Sequence, residues 1–250
     1  MNVFLAGASG AIGSRLVTLL KRAGHHVVGT TRSALRAEQL RILGAEPVLV
    51  DVFDREALSR AAASAEPEVV IHQLTDLPKR LEPSLMGEAI VRNARIREEG
   101  TRNLVGAAIV AGAHRLIAQS IAWAYADGPE PHSEDDPLDL QAAGSRGVTL
   151  RGVIALEDCT LESPPLEGVV LRYGQLYGPG THSDTPSDSM PLHVDAAAYA
   201  AALAIDRGEP GPYNVAQPNA HVTIDKARTK LGWDPNFRIM PESGKRSNRD

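Results

Sequence analysis

The chain has only one cysteine, Cys159, among its 250 residues. One thiol cannot form an internal disulfide, so we expect a reducing, cytoplasmic location. Cys159 also lies in a helical pattern, which favours a small core residue over a nucleophile. No apolar stretch reaches about 18 residues, so we expect no transmembrane helix. No basic segment precedes the first apolar run, so we expect no signal peptide either.

The chain also lacks an excess of positive charge and a cluster of metal-ligating residues. The formal net charge is −5, and no basic run interrupts the sequence, which argues against nucleic acid as a partner. No His/Cys cluster has the spacing of a metal site, so no metal is predicted. No nucleophile elbow is present, and the acidic stretch at 133–136 is interpreted as a solvated turn. The remaining partner class is a small-molecule substrate.

A glycine-rich turn near the start of the chain is the most informative feature that is present. Val3–Ala6 has the pattern of a buried strand, three glycines follow it, and an amphipathic helical pattern begins at once. A strand, a glycine turn and a helix in this order seat a dinucleotide pyrophosphate on a helix N-terminus. Gly7 would allow the tight turn, Gly10 would let backbone N–H groups approach phosphate, and Gly13 would let the helix pack closely on the strand.

Strand-like and helix-like segments alternate through the first two thirds of the chain. The predicted strands are 3–6, 26–30, 47–50, 69–72, 116–119 and 169–171, and the predicted helices are 12–23, 34–43, 54–65, 84–112 and 148–163. The segment 84–112 is either one long helix or a broken pair. Alternation at this spacing implies parallel strands joined by crossover helices, which is an α/β, doubly wound Rossmann sheet.

After residue 171 this alternation stops. The remaining predicted elements are a loop at 178–191, an alanine-rich helix at 194–205, a short strand at 213–215 and a helix at 224–231. We predict an NAD(P)-binding core at 1–172, a small C-terminal substrate cap at 173–240 with parts returning to the core, and a frayed tail at 241–250. The cap should cover the carboxyl edge of the sheet, where doubly wound folds bind ligands.

The end of the second predicted strand bears on the choice of cofactor. Dinucleotide folds commonly place an acid there to bind the ribose 2′-hydroxyl, but this chain has Thr31, Arg32 and Ser33. A guanidinium suits a 2′-phosphate. We therefore predict NADP in preference to NAD. The alternative interpretation of Arg32 is a solvated arginine that precedes a helix.

Further motifs occur in the order and spacing of one family. They are Asp51-Val52, Val70-Ile71-His72-Gln73-Leu74, Gly100-Thr101-Arg102-Asn103-Leu104, the segment Gln119 to Tyr125, the segment Leu171 to Gly180, His193-Val194-Asp195 and Leu231-Gly232-Trp233-Asp234-Pro235. Together with the Gly-x-x-Gly-x-x-Gly spacing, they resemble the extended or atypical short-chain dehydrogenase/reductase superfamily of the epimerase/dehydratase kind. The resemblance covers nearly the whole chain. It implies hydride transfer at a nicotinamide and a homodimer formed through the helices at 84–112 and 148–163.

The resemblance and the glycine turn together predict the site. The predicted cofactor residues are Gly7, Ser9, Gly10, Ala11, Ile12, Gly13, Thr31, Arg32, Asp51, Val52, Gln73 and Leu74. The predicted substrate residues are Arg97, Arg172, Tyr173, Tyr177 and His193. For Asp51 a helix cap is an additional role. For Arg172 the alternative is a paired arginine that supports the substrate cap, and for His193 it is an N-terminal helix cap or loop packing.

The family's catalytic residues are replaced in this chain. The family uses a Tyr-x-x-x-Lys helix, a Ser or Thr that bonds the substrate oxygen, and an Asn on the Gly-Thr helix. The aligned positions here hold Thr149, Val153, Ile121 and Arg97, and no Tyr-x-x-x-Lys occurs in the chain. An isolated threonine hydroxyl is too weak an acid to protonate a substrate at neutral pH.

Another group must therefore do the acid–base work, or the protein binds cofactor without turnover. We predict Tyr125 and Ser120 as the replacement catalytic residues, because both follow the fifth strand near the expected nicotinamide. The alternative for Tyr125 is an aromatic packed beneath the site. The predicted function is an NAD(P)-dependent oxidoreductase or epimerase-like enzyme that acts on a small hydroxyl or carbonyl substrate. The alternative is an inactive NADP(H)-binding sensor or regulatory protein.

Overall fold

The computed structural model describes residues 1–78 and 83–240 of the chain, so the predicted tail at 241–250 lies outside the described residues. The strands are β1 (Asn2–Ala6), β2 (His26–Thr31), β3 (Glu46–Leu49), β4 (Val69–His72), β5 (Arg115–Ile121), β6 (Glu167–Tyr173), β7 (Gln175–Tyr177), β8 (Pro191–His193) and β9 (Gly211–Val215). A seven-stranded sheet has the order β3-β2-β1-β4-β5-β6-β9, and every neighbouring pair is parallel. β7 and β8 form a separate parallel pair.

The helices pack on both faces of the large sheet. They are α1 (Ala11–Arg22), α2 (Ala34–Ile42), α3 (Arg55–Ala65), α4 (Pro83–Arg95), α5 (Thr101–Val110), α6 (Gly144–Leu161) and α7 (Val194–Leu203), with π-helical turns at Ile96–Gly100 and Ala227–Leu231. The predicted doubly wound α/β fold is confirmed. No helix in the described part of the chain is long and apolar enough to cross a lipid bilayer.

The apolar run in β1 follows from burial of both sheet faces. Val3 and Leu5 join the core cluster that includes α1 and α7, whereas Phe4 and Ala6 join the cluster that includes α3 and α5. Successive strand residues point to opposite faces, so a strand covered on both sides needs apolar residues at every position. The continuous run, rather than an alternating one, is therefore the signature of a central strand.

Several boundaries differ from the sequence predictions. The segment predicted at 84–112 is broken by the π-helical turn at Ile96–Gly100, and α6 begins at Gly144 rather than at 148. The predicted loop at 178–191 ends in β8, which pairs with β7 through Leu176 and Leu192. Such a pairing between distant segments leaves no local period in the sequence. The predicted helix at 224–231 is largely the π-helical turn at Ala227–Leu231.

Part of the C-terminal segment completes the large sheet. β9 pairs with β6 through Leu171 and Tyr213 and through Tyr173 and Val215. The segments that follow β1, β4, β5 and β6 consequently meet at one carboxyl edge. The strand order reverses between β1 and β4, which is where doubly wound folds form their ligand crevice.

Candidate active site

The glycine turn after β1 packs as the sequence predicts. Gly7 has a φ of +87°, and a Cβ on it would lie 2.5 Å from the carbonyl oxygen of Gln73. A Cβ on Gly13 would collide with the backbone of Gly7 and Ala8, so this position holds α1 against the turn. Only glycine tolerates both the positive φ at position 7 and the close backbone approach at position 13.

The N-terminus of α1 is left open toward solvent. Gly10 is the N-cap residue, and no side chain caps the helix. The N–H groups of the first helical turn therefore have no acceptor within the helix. A Cβ on Gly10 would meet only the carbonyl oxygen of Gly7, at 3.3 Å, so its other side is free space. An uncapped N-terminus beside a bare backbone fits a pyrophosphate.

Two adjoining cavities extend from this helix terminus along the carboxyl edge. The β2-side cavity, of about 430 Å³, lies between the glycine turn and the ends of β2 and β3. The β5-side cavity, of about 520 Å³, lies between the turn and the end of β5. Both are lined by Gly10, Gln73 and Thr75, so they form one cleft that passes the helix terminus. This shape fits a dinucleotide with its pyrophosphate at the centre.

The structure brings the predicted cofactor residues together in this cleft, apart from Gly13, which packs behind it. The residues that line the cleft are Gly7, Ser9, Gly10, Ala11, Ile12, Thr31, Arg32, Asp51, Val52, Gln73 and Leu74. Their roles in binding stay predictions. Their positions come from the ends of β1, β2, β3 and β4, which the parallel sheet places side by side.

The β2-side cavity is polar at its outer end. Arg32 Nη1 lies 4.0 Å from Asp51 Oδ2, and both side chains are partly exposed. The Ser9 hydroxyl donates to Thr31 Oγ1 at 3.3 Å. Arg36, in the first turn of α2, lines the same cavity and was not among the predicted cofactor residues.

A buried histidine, His72, ends β4 and directly precedes Gln73, which lines the cleft. His72 Nδ1 accepts from the N–H of Leu74 at 3.2 Å, and its Nε2 lies 3.0 Å from Thr101 Oγ1. Burial, with a further contribution from the Arg97 charge, lowers the pKa of His72 to about 4. The imidazole is therefore uncharged at neutral pH and fixed by its two partners.

Arg97 follows the start of the π-helical turn and lines the β5-side cavity. Its side chain is 8% exposed. It makes no hydrogen bond or ion pair with any residue in 1–78 or 83–240 within ordinary bonding distances. Burial lowers its pKa to about 10, which still leaves a cation at neutral pH. π-helical turns are frequent at functional sites.

Ser120 and Arg172 meet at one buried carboxylate. Ser120 lines the β5-side cavity, and its hydroxyl donates to Glu157 Oε1 at 2.5 Å. Arg172 Nη2 donates to Glu157 Oε2 at 2.7 Å, and all three residues are buried. Arg172 lines neither part of the cleft. The structure therefore places Arg172 in the buried ion pair rather than against the cleft.

Tyr125 faces away from the cleft. Its hydroxyl donates to Asn214 Oδ1 at 2.6 Å and accepts from Arg172 Nη1 at 2.9 Å, while its ring stacks on His132. Tyr125 and His132 line a separate cavity of about 290 Å³. Burial raises the pKa of Tyr125, although Arg172 and Asn214 oppose the rise. Its predicted catalytic role is untested, but the geometry fits the alternative of an aromatic beneath the site.

The remaining substrate candidates divide between two places. Tyr173 lines the β5-side cavity, and its hydroxyl donates to the carbonyl oxygen of Ala197 at 3.2 Å. Burial raises the pKa of Tyr173. Tyr177 and His193 line neither part of the cleft. His193 Nδ1 accepts from the N–H of Asp195 at 3.1 Å and caps α7, as the alternative interpretation expected.

The two positions aligned with the family's tyrosine and lysine lie on α6. Val153 is buried and packs against Ile121 and Leu150, and Thr149 is half-buried. Neither residue lines the cleft. The alignment to Thr149 and Val153 stays a prediction.

The other wall of the β5-side cavity comes from residues that sequence reasoning did not select. They are Leu77, Gln119, Trp123, Gln175, Leu176, His182, Ser183, Thr185, Pro186 and Ser187. The loop after β7 carries half of them, and nothing periodic in that Ser- and Pro-rich stretch indicates which way it folds. Among the described residues, no group of three or more His, Cys, Asp and Glu side chains is arranged to hold a metal ion.

Comparisons with known proteins agree with this geometry. The model of the NAD dependent epimerase/dehydratase family matches residues 3–209. A 3-diazoavenalumate denitrifying reductase from a Streptomyces species is 40% identical over 258 aligned positions, which cover 95% of this chain and 80% of the relative.

Two solved structures show the same fold at low sequence identity. The UDP-glucose 4-epimerase of Thermotoga maritima, solved with UDP-glucose, has a TM-score of 0.75 at 19% identity, covering 95% of this chain and 94% of that one. The UDP-glucuronic acid 4-epimerase of Bacillus cereus, solved in complex with NAD, has a TM-score of 0.72 at 20% identity, covering 95% and 92%.

Proposed function

The chain belongs to the NAD-dependent epimerase/dehydratase family, and we propose that within it the protein is a nicotinamide-dependent reductase that removes nitrogen from a diazo carboxylate. It is an enzyme of the NAD-dependent oxidoreductase or epimerase type. The observation that carries the proposal is the 40% identity with the denitrifying reductase across 95% of this chain. The name of that relative describes reductive removal of nitrogen from a diazo carboxylate.

The replaced catalytic pair supports this choice of reaction. Reduction of a carbonyl creates an alkoxide, which needs a proton donor such as the family's tyrosine. Hydride addition to an aryl diazonium carbon forms a C–H bond while the C–N bond breaks, and its electron pair leaves with neutral N₂. No oxygen gains a proton in that step. The predicted replacement of the family's tyrosine and lysine by Thr149 and Val153 is compatible with this reaction, which requires no such proton donor.

The cleft would hold the nicotinamide cofactor along the carboxyl edge. When bound in reduced form, the cofactor supplies the hydride. The open N-terminus of α1 at Gly10 would bind the pyrophosphate. Arg32 follows β2, where an acid commonly binds the ribose 2′-hydroxyl, and Arg36 lines the same cavity, so we propose NADP in preference to NAD. We also propose that the protein is located in the cytoplasm.

The domain division and the assembly are also proposed. Residues 1–172 would form the core and 173–240 the substrate cap, with β9 returning to the large sheet. The homodimer would use α4 and α6, which pack on each other. Leu85 and Val91 of α4 are exposed apolar side chains that a partner subunit could cover.

The function is tested by following the hydride. The protein is mixed with 3-diazoniobenzoate, made from the amine and nitrite, and with NADPH that carries deuterium at the transferred position. We expect benzoate with deuterium at the former diazo carbon, at a rate well above that without protein. Parallel assays offer aldehydes, ketones and UDP-glucose.

Turnover of a carbonyl or epimerisation of the sugar nucleotide, without diazo reduction, would overturn the proposal in favour of ordinary family chemistry. Tight NADPH binding with no turnover of any substrate would instead support the sensor alternative. The Gly10→Val variant serves as the control for reduction that occurs in solution, because it should not bind cofactor.

A further inference from the structure

Arg97 differs from the other arginines in the core. Arg115 donates to three carbonyl oxygens and to Glu167, and Arg172 pairs with Glu157. Arg97 is as buried as they are, yet it has no hydrogen-bond or ion-pair partner among the described residues. A buried charge without a partner is costly, so such a group normally has a ligand or shifts its charge state.

The neighbouring groups do not neutralise Arg97. Glu157 is the carboxylate whose charge favours the protonated guanidinium, but it is already bonded to Ser120 and Arg172. His72 is uncharged at neutral pH because its pKa is about 4. Arg97 therefore contributes an uncompensated positive charge to the β5-side cavity that it lines.

Two more polar groups at this cavity lack partners. Ser187 Oγ and Gln73 Oε1 are buried, and neither makes a hydrogen bond with a described residue. Both residues line the β5-side cavity together with Arg97. Ser187 can donate a hydrogen bond to an anion, whereas Gln73 Oε1 can accept one from a hydroxyl. Unpartnered polar atoms of residues that line one cavity are groups that a polar ligand can satisfy.

We propose that Arg97 is a specificity-determining residue that binds an anionic oxygen of the substrate in the β5-side cavity, with Ser187 as a second donor. This inference rests on the proposed function, because it places the substrate beside the nicotinamide end of the cleft. The oxygen belongs to a carboxylate or to a phenolate on the ring. Arg97 is absent from the β2-side cavity, so the adenosine half of the cofactor is not its ligand.

The test measures binding rather than turnover. Calorimetry on the NADP⁺-loaded protein compares benzoate with benzamide, and 4-nitrophenolate with 4-nitroanisole, at pH 8. We expect the wild-type protein to prefer the anion of at least one pair by about 10- to 100-fold, the range for a charge-assisted hydrogen bond. A preference for benzoate over benzamide would identify a carboxylate as the anionic group that Arg97 binds. A preference for 4-nitrophenolate over 4-nitroanisole would identify a phenolate.

Variants of Arg97 locate the effect. Arg97→Gln should reduce the preference to less than about threefold, Arg97→Lys should keep part of it, and both should bind NADP⁺ as the wild type does. Arg151→Gln, at an exposed arginine of α6, is the matched control and should change nothing. If Arg97→Gln does not fold, the ¹⁵N resonance of Arg97, assigned with Arg97→Lys, must shift with the anion and not with its neutral partner.

The inference is overturned if neither anion is preferred, or if Arg97→Gln keeps the preference. These outcomes are separate from failure of the proposed function. An anion preference that depends on Arg97 would stand even if the diazo compound were not reduced. Diazo turnover without any anion preference would remove the role of Arg97 and leave the proposed reaction in place.

Discussion

Ser120 donates a 2.5 Å hydrogen bond to Glu157, and this contact turns the serine proton away from the cleft that the same residue lines. The carboxylate that receives it also holds Arg172. A hydroxyl whose proton is held by a buried carboxylate is available to a ligand mainly as an acceptor. The β5-side cavity therefore presents a cation, Arg97, more prominently than a proton donor.

The choice of cofactor is tested at Arg32. Arg32→Ala should weaken NADPH binding by roughly 1.5–3 kcal/mol, because a charge-assisted hydrogen bond to the 2′-phosphate is lost. NADH binding should stay nearly unchanged. Arg36→Ala tests the residue that the sequence analysis missed. Fluorescence titration with both cofactors measures the effect, and an equal loss for NADH and NADPH would exclude a role at the 2′-phosphate.

The glycine turn is tested by filling its open side. Gly10→Val should abolish cofactor binding without unfolding the protein, because the side chain would occupy the pyrophosphate site. The added Cβ meets only the Gly7 carbonyl oxygen in the protein itself. Gly87→Val, at an exposed glycine of α4, is the control. Circular dichroism checks that the variants fold, and calorimetry measures their affinity for the cofactor. Unaltered affinity in folded Gly10→Val would show that the turn has only a structural role.

The proton-donor hypothesis is tested at Tyr125 and Thr149. Tyr125→Phe removes the buried hydrogen bonds to Asn214 Oδ1 and from Arg172 Nη1, so it should cost roughly 1–3 kcal/mol of stability. We expect its turnover to fall less than tenfold, as for Thr149→Ala, in assays well below the unfolding temperature. A loss of about 10²- to 10⁴-fold in folded Tyr125→Phe would instead identify a general acid.

The buried ion pair is tested at Glu157. Glu157→Gln removes the charge that faces Arg172 and weakens the hydrogen bond from Ser120, so unfolding should become easier by about 3–5 kcal/mol. Glu162→Gln, near the exposed end of α6, is the control and should change stability little. Urea denaturation of both variants gives the comparison. Equal free energies of unfolding for Glu157→Gln and Glu162→Gln would mean that the attraction between Glu157 and Arg172 only offsets the cost of desolvating them.

Stability should depend on pH through His72. Its pKa is about 4 in the folded protein against 6.5 for an ordinary histidine, so the unfolded chain binds the extra proton between these values. The contribution is complete above pH 6.5 and is lost as the pH falls toward 4. The free energy of unfolding should therefore fall by about 2 kcal/mol when the pH is lowered from 6.5 to 5. In urea denaturation, the stability of His72→Asn should depend less on pH than that of the wild type. An identical pH dependence in the two proteins would contradict a lowered pKa of His72.

Much of the fold is predictable because its signals are local. The strand, glycine turn and helix at the start of the chain lie within consecutive residues, and burial of both faces of β1 makes Val3 to Ala6 apolar. The position of the cofactor cleft is also predictable from local signals. Parallel strands align their carboxyl ends, so residues that follow β1, β2, β3 and β4 necessarily meet.

At the β5 end of the cleft, the sequence does not determine which side chains face the cavity. Tyr125 and Ser120 both belong to the segment at the end of β5, yet the first points into a separate cavity and the second into the cleft. Tyr177 and His193 carry family motifs but lie outside the cleft. The direction of each side chain depends on partners such as Asn214, which comes from β9 and shares no local pattern with Tyr125.

The sequence by itself determined the doubly wound sheet, the glycine turn and the absence of a Tyr-x-x-x-Lys pair, because periodicity, turn chemistry and residue identity are properties of neighbouring positions. The tertiary structure alone decided which polar groups are paired. Arg172 is neutralised by Glu157, while Arg97, buried to a similar degree, is left facing the cavity. Pairing across the fold depends on packing between distant segments, and charge alone does not reveal it.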